Sequence, residues 1–286
     1  MIRAAVLGAN VSQSRSPAIH NAAFRALGIE GRYVALSVEP RRFRALVRQL
    51  RADGYRYLNV TIPHKLAAAE LADRQGPEVR ASGAANTLIF PQLPRPRASV
   101  RAENTDGAGL IAALADLGAT VAGQTIVMVG AGGAAAGALE ALTRAGAKIR
   151  LVARRPAVAR AVRRRLPARQ QARVTVAAWT GASLAEALEG ADVLVSAVPA
   201  DGWADAEVRR GLEALAPGAA VLEMAYGMST PLAEAVRRNA RGYADGLGML
   251  VHQAARAIEL ALGEKPPLAP LFRAARRAGA AANKNR

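Results

Sequence analysis

The stretch Val129-Gly130-Ala131-Gly132-Gly133-Ala134-Ala135 decides the fold class. It follows an apolar run from Thr125 that is typical of a strand, and it opens a segment of helical period that ends at Arg144. In this G-x-G-x-x-A pattern the first glycine permits a tight turn, the second lets the backbone approach a pyrophosphate, and the small third residue lets helix and strand pack closely. The helix N-terminus favours phosphate charge. The motif therefore predicts a dinucleotide site at Gly130, Ala131, Gly132, Gly133 and Ala134; a structural turn in a cofactor-free fold is the alternative.

The next predicted strand, residues 148–152, bears on which dinucleotide binds. An acid at its end would hold a ribose 2′-hydroxyl, whereas an arginine accommodates a 2′-phosphate. The chain continues there with Ala153, Arg154, Arg155 and Pro156, without an acid. This favours NADP over NAD, with Arg154 and Arg155 beside the 2′-phosphate. The alternative is that both are ordinary surface arginines.

Outward from this motif, short apolar runs alternate with stretches of helical period, as in parallel sheets with crossover helices. The first series has strands at 3–8, 33–38 and 55–62 and helices at 17–27 and 40–50. A proline-rich loop at 91–96 then separates strands 87–90 and 99–102, which we interpret as a hairpin at a sheet edge. After a helix at 105–117 come strands at 125–129, 148–152, 174–177, 192–197 and 220–224, then a helix at 249–262 and a short basic tail. The pattern predicts an α/β protein of two α/β domains, the second of Rossmann type, with the C-terminal helix folding back on the first.

Composition excludes several classes of protein. The chain has 286 residues, 51% of them hydrophobic and 21% charged, which is ordinary for a globular protein. It has no cysteine, which excludes disulfide scaffolds and thiolate metal sites, and we predict no metal site. The first ten residues are too short an apolar stretch for a secretory signal, and glycines interrupt the longest uncharged run, 117–139. We expect a cytoplasmic protein with no membrane contact.

The charge is less ordinary, because 39 Lys and Arg stand against 22 Asp and Glu, a formal net charge of +17. Such an excess attracts nucleic acid, anionic membranes or phosphorylated small molecules. The cations are nearly all arginines spread along the chain, and aromatic residues make up only 4%, which leaves few stacking platforms for single strands. We therefore do not predict a nucleic-acid partner.

Polar residues follow the first and third strands. Ser14 and Ser16 precede the helix that starts near Pro17, where they suit a carboxylate ligand, although Ser16 acting as the helix cap explains the same pattern. Asn59 and Thr61 are two residues apart and share a side of the third strand.

Lys65 follows the third strand, at the end where α/β folds place ligands. It is one of four lysines in a chain that uses arginine almost everywhere, and a lysine gives up a proton where an arginine does not. Asn86 and Asp106 lie near predicted strand and helix ends. They are turn or cap residues, or, if Asp106 faces Lys65 in a cleft, part of an acid-base site.

Together these segments resemble the shikimate dehydrogenase family. The resemblance covers nearly the whole chain in the family's order and spacing, and it is carried by Ser14, Ser16, Pro17, His20 and Asn21, residues 59–65, Asn86 and Thr87, and residues 104–107, 130–134 and 244–253. It implies reversible reduction of 3-dehydroshikimate to shikimate by NADPH, on the route to aromatic amino acids. It also implies a substrate-binding domain at residues 1–104, completed by the C-terminal helices 247–286, and a Rossmann-type dinucleotide-binding domain at 105–246, with a cleft between the two.

The resemblance also implies the roles of single residues. Lys65 and Asp106 would be the catalytic pair. The substrate would be held by Ser14, Ser16, Asn59, Thr61, Asn86, Tyr226 and Gln253. The nicotinamide would be flanked by Met224, Gly246 and Met249. The implied protein is a monomer or a homodimer.

Three positions depart from the family pattern. Gln13 stands where many members have His, and Ala136 stands where many have Arg. Because Ala136 replaces that arginine, the hold on a 2′-phosphate depends more on Arg154 and Arg155. The third departure is that the family's usual Asn-Arg-Thr reads Ala153-Arg154-Arg155. Two alternatives stay open: a relative that also oxidises quinate, and a non-catalytic basic regulator that binds a nucleotide.

Overall fold

The computed structural model describes residues 1–91, 99–237 and 242–284. The chain forms two compact units, one of Met1–Gly109 with Leu250–Arg286 and one of Leu110–Met249. The strands, in chain order, are β1 (Ile2–Gly8), β2 (Gly31–Ser37), β3 (Tyr57–Val60), β4 (Arg74–Gln75), β5 (Thr87–Ile89), β6 (Arg101–Glu103), β7 (Thr125–Val129), β8 (Lys148–Ala153), β9 (Val174–Ala178), β10 (Val193–Ser196), β11 (Ala220–Glu223) and β12 (Gly242–Ala244).

The helices follow the same chain order, and prolines begin several of them, since proline at a first helical position loses no hydrogen bond. They are α1 (Ser16–Ala26), α2 (Pro40–Ala52), α3 (Lys65–Glu70), α4 (Pro77–Ser82), α5 (Asp106–Asp116), α6 (Gly133–Arg144), α7 (Pro156–Arg164), α8 (Ala168–Gln171), α9 (Gly181–Leu188), α10 (Ala206–Arg210), α11 (Pro231–Val236), α12 (Leu247–Leu262) and α13 (Leu268–Lys284). Short 3-10 helices span Ala200–Trp203 and Gly211–Ala214.

The first unit contains a mixed sheet in the order β2-β1-β3-β5-β6-β4. β1 pairs in parallel with β2 and β3, while β5 runs antiparallel to both β3 and β6. The core on one side of this sheet includes Leu7, Phe43, Leu58 and Leu88, all buried. The carboxyl ends of β1 and β3 therefore lie side by side, with the loops that follow them at the same edge of the sheet.

Two features of the first unit correct the sequence prediction. The β5–β6 hairpin is not at the sheet edge, because the two-residue strand β4 pairs in parallel with β6 outside it. The predicted basic tail is instead the helix α13, whose Leu271 and Ala275 are fully buried. Most of the proline-rich loop at 91–96 lies outside the described residues.

The second unit contains an all-parallel sheet in the order β12-β11-β10-β7-β8-β9. Alternate residues of β7 enter different core clusters: Ile126 and Met128 in one, Val127 and Val129 in the other. Both faces of the strand are therefore covered, as expected for a parallel sheet. The predicted class, two α/β units with one Rossmann-like sheet, is confirmed.

No helix within the described residues is long and apolar enough to cross a membrane.

Candidate functional site

Lys65 and Asp106 form an ion pair in the first unit. The distance between Lys65 Nζ and Asp106 Oδ2 is 2.5 Å, and the side chains are 10% and 8% exposed. Lys65 is the first residue of α3, directly after β3, and Asp106 is the first residue of α5, where an acid is favoured by the helix dipole. Two residues that are 41 positions apart in the chain thus form a buried acid-base pair at the strand ends.

His64 anchors the loop that presents Lys65. Its Nε2 lies 2.9 Å from the carbonyl oxygen of Val38, and its ring stacks on Phe43 with centroids 4.5 Å apart. Since His64 is buried and held on two sides, the start of α3 is fixed against the first sheet.

Asn86 connects the acid-base pair to the side chains of Thr105 and Gln253. Its Nδ2 donates to Asp106 Oδ1 at 2.8 Å, to Thr105 Oγ1 at 2.9 Å and to Gln253 Oε1 at 3.3 Å. Its Oδ1 accepts from the Thr105 backbone N–H at 2.9 Å, which fixes the direction of the amide. Both carboxylate oxygens of Asp106 are therefore engaged, one by Asn86 and one by Lys65.

Asn59 lies next to this network at the end of β3. Its Nδ2 donates to Thr87 Oγ1 at 3.0 Å, and its Oδ1 accepts from the Tyr33 hydroxyl at 2.8 Å. Thr87 in turn donates to Asn86 Oδ1 at 2.9 Å. A continuous chain of hydrogen bonds therefore runs from Tyr33 through Asn59 and Thr87 to Asn86.

Behind Asn59 lies a buried cluster of His20, Tyr33 and Tyr57 that the sequence did not single out as part of the site. His20 stacks on Tyr33 with centroids 3.9 Å apart, and its Nδ1 lies 2.6 Å from the Tyr57 hydroxyl. Burial lowers the pKa of His20 to about 3 and raises the pKa of both tyrosines well above the usual range. The cluster is therefore uncharged at neutral pH.

In the segment that follows β1, Ser14 is half-buried and Ser16 is buried. Ser16 is the first residue of α1 and makes no capping bond, so its interpretation as the helix cap is wrong. Instead, Ser14 Oγ accepts from the Ser16 backbone N–H at 3.2 Å. Thr61 follows β3 at the same sheet edge, where its methyl group lies so close to Gly8 that any Cβ there would come within 2.5 Å of it.

The second unit contains the glycine turn. Gly130 follows β7 with a φ of +112°, a backbone conformation that residues with side chains rarely adopt. A Cβ there would lie 3.0 Å from the Ala197 carbonyl oxygen. Gly132 precedes α6, where a Cβ would meet nothing within 4 Å. Ala135 is 1% exposed and belongs to the core, as close packing of helix on strand requires.

This turn fits a dinucleotide. The space beside Gly132 is open, and a side chain at this position would fill it. The helix α6 begins at Gly133 without a side-chain cap, and a helix N-terminus favours the negative charge of a phosphate. Ala131 and Ala134 are small neighbours in the same turn. Arg154 and Arg155, both exposed, follow β8 where a 2′-phosphate would need them.

Met224, Gly246 and Met249 come together in the same unit. A Cβ at Gly246 would lie 2.1 Å from the Met224 carbonyl oxygen, so only glycine fits there. Met249 is buried in a core cluster against which Met224 packs. Tyr226 is half-buried in the segment after β11 and belongs to this second unit. Of the predicted substrate residues, the other six lie in the first unit.

Among the described residues, no three His, Asp or Glu side chains are grouped so that they could hold a metal ion.

Comparison with protein-family models gives one match in each unit. Residues 6–88 match the model described as the shikimate dehydrogenase substrate binding domain. Residues 117–221 match a model described as putative NAD(P)-binding.

Curated relatives are similar over almost the full chain. A shikimate dehydrogenase (NADP(+)) of Rubrobacter xylanophilus is 39% identical over 272 residues, covering 94% of this chain and 93% of that protein. The corresponding protein of Dinoroseobacter shibae is 38% identical, covering 95% and 96%.

Solved structures give the same result. The shikimate 5-dehydrogenase of Thermus thermophilus, in complex with NADP(H) and shikimate, is 29% identical, with a TM-score of 0.79 and coverage of 97% and 100%. A shikimate dehydrogenase in complex with NADP+ is 27% identical, with a TM-score of 0.84 and coverage of 97% and 95%.

Proposed function

The chain belongs to the shikimate dehydrogenase family, and on that premise we propose that it reduces 3-dehydroshikimate to shikimate with NADPH, reversibly, in aromatic amino acid biosynthesis. The observation that carries the proposal is the buried Lys65–Asp106 pair, tied through Asn86 to Gln253. A cation and a carboxylate held together at strand ends, beside a row of hydroxyls and amides, suit a small polyhydroxylated acid.

Lys65 supplies the proton in this reaction. When bound, NADPH supplies the hydride, and the balance is 3-dehydroshikimate, NADPH and a proton giving shikimate and NADP+. As the ketone carbon is reduced, its oxygen gains negative charge and needs a proton, and the Lys65 ammonium provides both charge stabilisation and that proton. Asp106 accepts a hydrogen bond from Lys65 Nζ and holds the amine in place for the reaction.

The remaining polar residues of the first unit bind and orient the substrate in this proposal. Ser14 and Ser16 hold its carboxylate, supported by their place at the start of α1. Asn59, Thr61, Asn86 and Gln253 hold its hydroxyl groups, and we assign Tyr226 a role in substrate binding from the family resemblance.

The second unit binds the cofactor. The pyrophosphate rests on Gly130, Ala131, Gly132, Gly133 and Ala134. Arg154 and Arg155 take the 2′-phosphate, and Met224, Gly246 and Met249 flank the nicotinamide. We assign substrate binding to residues 1–104 with 247–286 and dinucleotide binding to residues 105–246. The protein acts in the cytoplasm as a monomer or a homodimer.

Replacement of Lys65 tests the chemistry. We expect Lys65→Ala to lower turnover by about two to four orders of magnitude, the usual size of a general acid-base contribution, with a smaller effect on substrate affinity. Lys148→Ala, at an exposed lysine that begins β8, is the matched control and should keep wild-type turnover. Turnover of Lys65→Ala within threefold of wild type would exclude Lys65 from the chemical step.

A second experiment tests the substrate and cofactor. Steady-state rates are measured with shikimate or quinate, each with NADP+ or NAD+. Shikimate with NADP+ should be the best pair, and quinate with NAD+ as the best pair would contradict the proposal. No absorbance change at 340 nm with any pair over a wide pH range would instead support a non-catalytic nucleotide-binding protein.

A further inference from the structure

Trp179 lies directly beside Arg154 at the carboxyl end of the second sheet. It follows β9, and its backbone N–H donates to the carbonyl oxygen of Ala153, the last residue of β8, at 3.1 Å. The Arg154 guanidinium carbon lies 6.0 Å from the centroid of the Trp179 ring. That distance is at the outer limit of a cation–π contact, so the two side chains are neighbours but do not pack closely against each other.

The ring of Trp179 is supported from the side of β10. It packs edge-on against Trp203, with centroids 5.6 Å apart, and its Cη2 would be only 3.0 Å from a Cβ at Gly202. Trp203 is itself fully buried and donates its indole N–H to Ser196 Oγ at 2.9 Å. The supported ring therefore has a fixed position.

Packing alone orients the indole ring of Trp179. Its indole N–H is buried and has no acceptor among the described residues, so no hydrogen bond of its own orients the ring. Trp179 as a whole is half-buried, whereas Trp203 is fully buried. Exposed arginines also lie over the half-buried rings of Tyr55 and Phe272, so what distinguishes Trp179 is its place after β9, beside the end of β8.

We propose that Trp179 and Arg154 together form the subsite for the adenosine 2′-phosphate end of NADP, with the indole ring as the surface for the adenine. The inference rests on the proposed function. Ligands of parallel α/β sheets bind outside the carboxyl ends of the strands, which is where both side chains lie. An indole offers a π-face on which any base stacks, and a guanidinium matches a phosphate in shape and charge. Trp179 is therefore a residue that determines cofactor affinity, in addition to the glycine turn and the two arginines.

The test uses 2′,5′-ADP, which carries the adenosine and the 2′-phosphate but no nicotinamide, and the full-length protein. Affinity is measured by calorimetry for the wild type, Trp179→Leu and Trp179→Phe. Trp179→Leu should bind 2′,5′-ADP about tenfold more weakly, the order expected for loss of one base-aromatic stack. Trp179→Phe keeps an aromatic face and should stay within threefold of the wild type.

Fluorescence gives a second readout, because the chain contains only two tryptophans. Binding of 2′,5′-ADP should quench emission in the wild type, and Trp179→Phe should abolish that quenching while binding persists. Trp203→Phe, at the fully buried neighbour, is the matched control and should keep the quenching. Arg154→Ala should reduce the preference for 2′,5′-ADP over 5′-AMP.

The outcomes separate this inference from the proposed function. Wild-type binding of 2′,5′-ADP with unchanged affinity in Trp179→Leu would overturn the subsite and leave the NADP-dependent function standing. Unchanged quenching in Trp179→Phe would also overturn it. Failure of the wild type to bind 2′,5′-ADP would overturn both the NADP assignment and the subsite.

Discussion

The Tyr33 hydroxyl determines the direction in which the Asn59 amide faces. It donates to Asn59 Oδ1, which leaves Nδ2 to donate to Thr87. We predict that Tyr33→Phe raises the KM for shikimate about fivefold, the size of one neutral hydrogen bond, because Asn59 loses its orientation. Turnover should stay within threefold, since Lys65 and Asp106 do not contact Tyr33. Steady-state kinetics measures both.

Tyr57 provides the control for that variant. Like Tyr33 it is fully buried and contacts the His20 ring, but its hydroxyl lies by His20 Nδ1 rather than by Asn59. Tyr57→Phe should therefore cost similar stability without a change in KM. An equal rise in KM for both variants would mean that the cluster only maintains the fold.

His20 makes stability depend on pH. Its native pKa of about 3 lies far below its ordinary value of 6.5, because burial excludes the charged ring. Below pH 6.5 the unfolded chain binds a proton that the native protein does not. The contribution of neutral, buried His20 to the free energy of unfolding is therefore fully present above pH 6.5 and is lost as the pH falls toward 3. We predict that this residue alone lowers the free energy of unfolding by about 1.4 kcal/mol for each pH unit below 6.

Urea unfolding at pH 6.0 and 5.0, above the range where carboxylates titrate, measures this slope. His20→Gln, whose amide can still bond to Tyr57, should show a slope shallower by that amount. If the variant does not fold, the ring resonances of wild-type His20 give a second measurement. A native His20 that titrates between pH 5 and 7 would contradict the prediction.

Single residues of the site were predictable to different degrees. Lys65 is conspicuous in the sequence because arginine serves nearly everywhere else, and the structure pairs it with Asp106 as the resemblance implied. Tyr33 and Trp179 carry no such signal. Each acts through a neighbour distant in the chain, Asn59 or Arg154, and a strand sequence does not reveal which side chain its strand end will meet.

At the level of an element, we predict different roles for Gly130 and Gly132 of the glycine turn. Gly130 needs its positive φ and has the Ala197 carbonyl against it, so Gly130→Ala should lower the free energy of unfolding by about 1–3 kcal/mol. Gly132 has a φ of −81° and open space, so Gly132→Ala should change stability by less than about 1 kcal/mol.

Binding should show the opposite pattern for Gly132. An added methyl group at this position occupies the space for the pyrophosphate, so Gly132→Ala should weaken NADP+ binding about tenfold or more. Denaturant unfolding and calorimetry on the same preparations measure both quantities. Wild-type NADP+ affinity in Gly132→Ala would show that the turn does not hold the cofactor.

Elements with a strong hydrophobic pattern were predicted well. Short elements, and elements that depend on contacts with distant parts of the chain, were not. β7 was predicted with its observed bounds because it is an uninterrupted apolar strand before a glycine turn. β4 has two residues and exists only through pairing with β6, so no local pattern marks it. The helix α13 reads as a basic tail because its buried residues are mostly alanines, which carry little hydrophobic signal.

At the scale of the whole molecule, several arginine side chains stabilise the fold by donating hydrogen bonds to backbone carbonyl oxygens. Arg150 donates to the carbonyl oxygens of Ala187 and Glu189 at the end of α9, and Arg173 donates to that of Gly146. Such bonds satisfy carbonyls that helix ends leave without partners. Part of the positive charge of +17 therefore has a structural use, which weakens its value as a sign of nucleic-acid binding.

The division into two units predicts separable unfolding, because each unit has its own core. Leu271 of α13 and Leu188 of α9 are both fully buried, the first in the first unit and the second in the second. Either change to alanine should cost its unit about 2–5 kcal/mol. Both tryptophans belong to the second unit, so fluorescence follows that unit alone, whereas far-UV circular dichroism follows both.

We therefore expect Leu271→Ala to lower the melting temperature seen by circular dichroism while the tryptophan transition stays at its wild-type temperature. Leu188→Ala, the matched change in the other core, should lower the tryptophan transition. Thermal melts of the same samples with both probes measure this difference. A tryptophan transition that falls equally in the two variants would mean that the units unfold as one cooperative body, with the core of one stabilising the other.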